Sequence, residues 1–190
     1  MPPVRLRFAS QPETNAWHAI YEAFDDAREL SESLVVVHRA GEANAYMYST
    51  YPKENDVRKA DTHTLRGFDA ERPFAGSDFS LTDFGLEFLY WPGHKILKHE
   101  MRKGRSCYVL ESTRTGATGD RYGRVLSWVD VENGGILRAE AYDAANHLLK
   151  EFSIGSVKKV DGRWQIKSME IRDARTDARS RLEFDLEVEE

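Results

Sequence analysis

Residues 94–112 read HKILKHEMRKGRSCYVLES, in which two strand-like stretches are separated by Lys103-Gly104. Glycine readily adopts the positive backbone angles that tight hairpin turns need, so this stretch predicts an antiparallel hairpin. The same pattern of strand, turn and strand continues to the end of the chain. Its later turns fall at TRTGATG (113–119), Asn133-Gly134-Gly135, Ala145-Asn146, Asp161-Gly162 and a polar stretch around Thr176. The second half of the chain therefore predicts an antiparallel sheet of many strands.

The last predicted strand shows which face of this sheet is dry. Four apolar residues alternate there with three acids: Leu182, Phe184, Leu186 and Val188 against Glu183, Asp185 and Glu187. Because successive side chains of a strand point to opposite faces, the apolar set lies on one face and the acids face water. A wide apolar face would aggregate if left open, so we expect this sheet to curl or to be covered.

Before this region, the sequence predicts one helix and a hairpin. Ser10 and Glu13 have capping-box spacing, and apolar residues follow at helical intervals, which predicts a helix near the N-terminus. These apolar residues are Trp17, Ile20, Tyr21, Phe24 and Ala27. LVVVHR from Leu34 and AYMYSTY from Ala45 are rich in β-branched and aromatic residues and flank Gly41, which predicts a hairpin. Residues 58–65 are a candidate for a further strand.

Residues 73–88, PFAGSDFSLTDFGLEF, join a turn-forming stretch to a short apolar pattern. Ser80 and Asp83 again have cap-like spacing, and Pro92-Gly93 ends the pattern. We expect a short helical segment here that covers the sheet. The predicted fold class is mainly β with few helices (α+β), in which a curved antiparallel sheet forms an incomplete β-barrel with a helical lid, within a single domain over residues 1–190.

Composition excludes several classes of protein. Lys and Arg total 27 against 32 Asp and Glu, a net charge of −5, and the basic residues are not gathered in one stretch, which argues against nucleic acid as a partner. No run of about 18 apolar residues is present, so no transmembrane segment is predicted. The N-terminal MPPVRLRFAS lacks the features of a secretory signal, which leaves two alternatives: a cytoplasmic protein, or an exported protein from which a signal and a leading segment have been removed.

The chemistry-bearing residues form no catalytic or metal pattern. His94 and His99 are five residues apart on a predicted strand, which would place them on opposite faces. Ser77 and Asp78 lack a nucleophile-elbow context, and Asp78 fits a turn that accepts backbone hydrogen bonds. The single cysteine, Cys107, cannot form an intrachain disulfide. We therefore expect no enzyme activity, no metal and no cofactor.

Four segments in order carry a resemblance to a known family. They are GSDFSLTDFGLEFLYWP (76–92), YGRVLSWVD (122–130), LRAEAYDAANHLLKEF (137–152) and WQIKSMEIRD (164–173). Together they resemble the bacterial outer-membrane lipoprotein-sorting protein family, whose periplasmic members are similar to the lipoprotein carriers LolA and LolB. The resemblance covers about residues 74–190. It implies a curved half-barrel with an apolar cavity closed by helices.

The function implied by this resemblance is carriage of acyl chains across the periplasm. The expected ligand is a lipid or an acylated lipoprotein, with an envelope receptor as a possible further partner, and the expected state is a monomer. Candidate cavity or lid residues are Leu81, Phe84, Leu86, Phe88, Trp91, Trp128 and Phe184. Large rings such as those of Trp91 and Trp128 either line such a cavity or fill the core. The alternative function is an envelope protein-interaction module with a filled core and no lipid ligand.

Overall fold

The computed structural model describes residues 4–52, 60–160 and 163–184. The structure is mainly β, with two antiparallel sheets and three helical segments of a single turn each in the described residues. The chain divides into two compact units, Met1–Tyr90 and Trp91–Glu190, each containing one sheet. The predicted mainly β class with few helices is confirmed, whereas the expectation of a single domain over residues 1–190 stays a prediction.

The first unit contains a five-stranded meander in which every strand pairs with its neighbour in sequence. Its strands are β1 (Arg5–Pro12), β2 (Ala16–Phe24), β3 (Leu30–Arg39), β4 (Ala45–Thr50) and β5 (Asp61–Leu65). The predicted hairpin around Gly41 is confirmed as β3 and β4, and Gly41 has a φ of 76°. The candidate strand at 58–65 is present from Asp61; residues 58 and 59 lie outside the described residues.

The helix predicted after Ser10 is wrong, because this region is the hairpin of β1 and β2. Ser10 pairs with Ala19 across the hairpin, and Glu13 donates its backbone N–H to the carbonyl of Ala16 at 2.8 Å to close the turn. The residues that face the core alternate along β2: Trp17, Ala19, Tyr21 and Ala23. The apolar spacing fits both periods, and pairing with β1 and β3 on either side decides for the strand.

A helical segment follows β5 in the first unit. Short 3-10 turns span Gly67–Ala70 and Glu87–Tyr90, and the α-helix α1 spans Leu81–Phe84. The predicted cap is present: the Ser80 backbone N–H donates to Asp83 Oδ2 at 2.7 Å. The helix ends after one turn at Gly85, whose position leaves no room for a side chain, since a Cβ there would lie 2.4 Å from the Tyr46 hydroxyl.

The second unit is a seven-stranded meander that matches the predicted turns. Its strands are β6 (Gly93–Arg102), β7 (Arg105–Thr113), β8 (Arg124–Asp130), β9 (Ile136–Tyr142), β10 (Leu148–Val160), β11 (Arg163–Asp173) and β12 (Arg179–Glu183). Lys103 and Gly104 both have positive φ, 50° and 76°, as the predicted tight turn requires. The last strand ends at Glu183. Residues 185–190, which include Leu186 and Val188 of the predicted alternation, lie outside the described residues.

Neither sheet closes into a barrel. In the described residues, β1 and β5 are the edges of the first sheet, and β6 and β12 are the edges of the second. The first unit has a core of Leu34, Val36, Tyr46, Phe74 and Leu81, all shielded from solvent. In the second unit, Cys107, Val109 and Trp128 form a smaller buried cluster.

Candidate functional site

Leu81 and Phe84, two of the predicted site residues, belong to the core of the first unit. Leu81 is fully buried, and Phe84 is half-buried and packs on the same cluster. The Phe84 ring lies 4.6 Å from the Tyr21 ring and 5.4 Å from the Phe74 ring, between centroids. The structure thus joins these two residues in one aromatic cluster, in which α1 covers the inner face of the first sheet.

Buried polar groups fix the rest of this helical segment to the first sheet. The Tyr46 hydroxyl donates to Glu87 Oε2 at 2.5 Å, and Asn44 Nδ2 donates to the carbonyl of Gly85 at 2.8 Å. His38 Nδ1 lies 3.1 Å from the Tyr90 hydroxyl. Burial raises the pKa of the Glu87 carboxyl, whereas the hydrogen bond from Tyr46 acts in the opposite direction. This segment is therefore held by specific contacts as well as by its apolar residues.

Apolar side chains stand exposed beside these contacts. Leu86, a predicted site residue, is 41% exposed and has a φ of 45°, while Phe88 is half-buried. Leu89 and Tyr90 are also exposed, and Trp17 stacks on His38 with 3.9 Å between ring centroids. Leu86 is the predicted site residue in this segment that a ligand can reach without disturbing the core.

One side of the second sheet carries mostly apolar side chains and is here called the apolar face. Strand pairing aligns on this face residues from all seven strands, among them Ile96, Leu110, Val125, Ser127, Ala139, Phe152, Ile154, Val157, Ile166, Met169, Ile171 and Leu182. Val125 and Ser127 on β8 are buried, whereas Val157 and Ile166 are 49% and 40% exposed. The face is thus shielded around β8, and it is open to solvent at Ile96 on the edge strand β6 and toward the hairpin of β10 and β11.

The opposite side of the second sheet, the charged face, holds a chain of ion pairs. Arg138 bridges Glu140 and Glu151, and Glu151 also pairs with Arg172 at 2.7 Å. Although partial burial works against it, the two arginines hold the pKa of Glu151 below its usual value. These charges leave the charged face unsuited to an acyl chain.

Trp128, another predicted site residue, lies on the charged face rather than the apolar face. It pairs with Val109 and Arg138, and its ring packs in the cluster of Cys107 and Val109. The guanidinium groups of Arg102 and Arg138 lie 5.8 and 5.7 Å from its ring centroid, at cation–π distance. Core filling with a cationic cover accounts for this residue, and its role in ligand binding stays a prediction.

The remaining predicted residues, Trp91 and Phe184, lie at the ends of the second unit's strands. Trp91 precedes β6 and is buried, with the Arg114 guanidinium 4.5 Å from its ring centroid. Phe184 follows β12, is half-buried, and donates its backbone N–H to the carbonyl of Lys167. Their proposed ligand contacts stay predictions as well.

A surface hollow of about 410 Å³ lies in the first unit, between the turn before β2 and the end of β3. Its lining is Glu13, Thr14, Asn15, Ala16 and Arg39. This lining is polar and charged, so the hollow does not have the chemistry of an acyl-chain site.

The prediction that His94 and His99 lie on opposite faces is wrong. The pairing of β6 with β7 shifts between Ile96 and Lys98, so His94 opposes Ser112 and His99 opposes Tyr108, which share a face of β7. Such a bulge inserts one residue and reverses the alternation beyond it. In the described part of the chain, no group of three or more His, Cys, Asp or Glu is placed to hold a metal ion.

Sequence reasoning missed the central residues of the apolar face. Small side chains at Ser112, Ser127, Ala139 and Ala141 lie near its middle and are buried. The available signal for a buried face was the alternation of Val125, Ser127 and Val129 within β8. A serine in such a row does not indicate a central, buried position until its neighbours on adjacent strands are known.

Comparison with known proteins gives a family and a fold. A family model described as "Uncharacterized protein" matches residues 28–188. A search of the curated proteins found no match. Among the described residues, no helix has the length and apolar character needed to cross a membrane.

Three solved structures share the fold. A structure described as an outer membrane lipoprotein-sorting protein domain from Vibrio parahaemolyticus has a TM-score of 0.69 and 19% identity, covering 94% of this chain and 72% of its own. A DUF1329 family protein from Desulfovibrio piger has a TM-score of 0.55 and 18% identity, with coverages of 97% and 84%. A LolA superfamily protein from Nitrosomonas europaea has a TM-score of 0.51 and 18% identity, with coverages of 97% and 85%.

Proposed function

We propose that this protein is a non-enzymatic carrier of acyl chains. The chain belongs to the family whose model, described as "Uncharacterized protein", matches residues 28–188. Its LolA-like fold is what supports the proposed function. The ligand in this proposal is a lipid or an acylated lipoprotein in the bacterial periplasm, during sorting to the outer membrane. The resemblance to a lipoprotein-sorting domain supports this choice of ligand class.

The observation that carries the proposal is the apolar face of the second sheet. Its aliphatic side chains are exposed at one end, where Val157 and Ile166 form a cross-strand pair. Transfer of each methylene of a ligand onto such a surface contributes up to about 0.8 kcal/mol, so a chain of ten carbons binds without a strong polar contact. This mode of binding needs no catalytic group.

The incomplete barrel and the helical lid belong to the same proposal. The segment from Leu81 to Tyr90 covers the inner face of the first sheet and is fixed by Tyr46 and Asn44. Separately from the apolar face of the second unit, we propose that the exposed residue Leu86 of this segment contacts an acyl chain at the surface of the first unit. A polar substitution at Leu86 then weakens binding, whereas one at Phe84 also disturbs the core, because Phe84 packs in the aromatic cluster.

Native mass spectrometry of the gently purified protein tests the proposal. We expect an adduct that has the mass of an acylated lipid or peptide and disappears on delipidation, and we expect delipidated protein to bind a fluorescent fatty acid saturably. A protein that carries no adduct and shows no saturable uptake is not an acyl carrier.

The second candidate function, an envelope protein-interaction module, draws on two observations. Leu81 and Phe84 fill a packed core, and the edge strand β6 exposes Ile96 and Leu97 at 59% and 40%. A lipid-free protein that binds an envelope protein through β6 would favour this function. Substituting Ile96 with lysine would abolish that binding, since it places a charge in the contact.

A further inference from the structure

Ser127 places a polar group in the middle of the apolar face. It lies at the centre of β8, opposite Leu110 on β7 and Ala139 on β9. Ser127 is fully shielded from solvent, and its hydroxyl oxygen has no hydrogen-bond partner among the described residues. A buried hydroxyl without a partner costs folding free energy, and such groups are uncommon in folded proteins.

The neighbouring serine shows that the fold can satisfy a hydroxyl on this face. Ser112 lies one strand away on the same face and is equally buried, but its hydroxyl lies 3.1 Å from His94 Nδ1. Ser112 thus has a partner within the sheet. Ser127 has none among the described residues, so its hydroxyl is an unsatisfied donor on this face.

Ser127 also lies where the shielded part of the apolar face meets its open end. The next position on this face along β8 is Val129, which is half-buried, and Val131 beyond it is 45% exposed. The four residues after Ser127, three in β8 and the turn residue Val131, span at most about 14 Å, close to the length of a ten-carbon chain. A ligand whose acyl chain covers the open end therefore brings its first carbons near Ser127, where the small side chain of Ala139 permits a close approach.

The chemistry around Ser127 favours a neutral acceptor. The arginines of β8, β9 and β11, Arg124, Arg138 and Arg172, lie on the charged face, on the other side of the sheet. Lys150 shares the apolar face, but it lies opposite Ala141 and its ammonium group stands over the Tyr122 ring. A carboxylate or phosphate at Ser127 would be desolvated without these cations, which is costly. An ester or amide carbonyl carries no charge and needs a single hydroxyl donor.

We propose that the Ser127 hydroxyl donates a hydrogen bond to the ester or amide carbonyl of an acyl ligand and so selects ester- or amide-linked chains over plain alkyl chains. This inference rests on the proposed function, since it names the ligand group that the apolar face recognises. A hydroxyl that gains its missing partner contributes affinity that a ligand without a carbonyl cannot obtain.

The test compares two ligands that differ in the carbonyl. Delipidated protein is loaded with dansyl-labelled undecanoic acid, which is then displaced by a dihexadecanoyl glycerol or by the corresponding dihexadecyl glycerol ether. We expect the wild type to bind the ester about five- to tenfold more tightly than the ether, the range of one hydrogen bond. Ser127→Ala should remove this preference by weakening ester binding alone. Ser112→Ala is the matched control and should keep the preference, since that hydroxyl already has His94 as its partner.

The outcomes distinguish the role of Ser127 from the carrier function itself. Equal binding of ester and ether by the wild type overturns the role of Ser127 and leaves the carrier function standing. Equal loss of both ligands in Ser127→Ala also overturns it, because that result indicates a packing role. Failure of both ligands and of the dansyl probe to bind the wild type overturns the proposed function itself.

Discussion

The hydrogen bond between Tyr46 and Glu87 should stabilise the first unit measurably, and a double-mutant cycle tests this. The Tyr46 hydroxyl lies 2.5 Å from Glu87 Oε2, and both residues are buried. A hydrogen bond to a charged group contributes about 1.5–3 kcal/mol, and removal of one partner leaves the other desolvated without compensation. Tyr46→Phe and Glu87→Leu each remove the hydrogen bond and should therefore each destabilise the protein, with a coupling free energy of about 1.5–3 kcal/mol.

Urea unfolding followed by tryptophan fluorescence measures this coupling from the wild type, the two single variants and the double variant. A matched control cycle uses Ser33 and Tyr51, whose hydroxyls are 3.4 Å apart and only partly buried. We expect that control pair to couple by less than about 0.5 kcal/mol, because the bond is long and solvent competes for it. If the Tyr46–Glu87 coupling is as small as the control, the helical segment is not held by this contact.

Three further predictions follow from local geometry and charge. Gly85→Ala places a Cβ 2.4 Å from the Tyr46 hydroxyl and should lower the free energy of unfolding in urea by about 1–3 kcal/mol; an unchanged midpoint would show that Tyr46 moves aside freely. Burial raises the pKa of Glu87 above its ordinary 4.5. The contribution of Glu87 to the free energy of unfolding is therefore complete below about pH 4.5 and is lost as the pH rises through the folded-state pKa. The urea midpoint of the wild type should fall across this range relative to that of Glu87→Gln, and parallel curves would contradict this. Arg172 and Arg138 lower the pKa of Glu151, although partial burial acts in the opposite direction. The contribution of Glu151 to the free energy of unfolding is therefore present above its ordinary pKa and is lost as the pH falls. Glu151→Gln should lower the free energy of unfolding by about 1–2 kcal/mol at neutral pH, allowing for solvent screening, and this difference from the wild type should vanish in acid.

The strands that the sequence predicts correctly are those bounded by local turn chemistry. Lys103-Gly104 and Gly41 adopt the positive angles that glycine permits, and the hairpins on either side follow from these turns. The capping box at Ser80 and Asp83 is equally local and equally correct. Each of these features depends on a few adjacent residues, which a single sequence displays.

The errors concern features that distant residues decide. The stretch around Trp17 satisfies a helical spacing, but the ladders to β1 and β3 bury every second residue instead. The bulge in β6 brings His94 and His99 to one face, and no glycine or proline marks it. The requirement for glycine at the end of α1 comes from Tyr46, about forty residues away, which fills the space beside Gly85.

Some residues of the candidate site can be found from the sequence, whereas others are revealed only by the pairing of distant strands. Leu81, Phe84 and Trp128 were predicted as cavity or lid residues, and their ligand contacts stay predictions. Leu81 and Phe84 pack in the core of the first unit, and Trp128 packs on the charged face of the second sheet. Ser127 and Ile166 lie on strands separated by more than thirty residues, and their shared face follows from the register of four strands. A sequence read by itself does not contain that register.

The most direct test of the central claim is a titration of delipidated protein with a fluorescent fatty acid, comparing Ile166→Lys with Gln165→Lys. Both positions are exposed neighbours on β11, but strand alternation places Ile166 on the apolar face and Gln165 on the other. We expect Ile166→Lys to weaken binding at least about tenfold, since an acyl chain would desolvate the charge, whereas Gln165→Lys should bind like the wild type. Equal affinity of the two variants would contradict binding on the apolar face, and absence of saturable binding by the wild type would contradict carriage altogether.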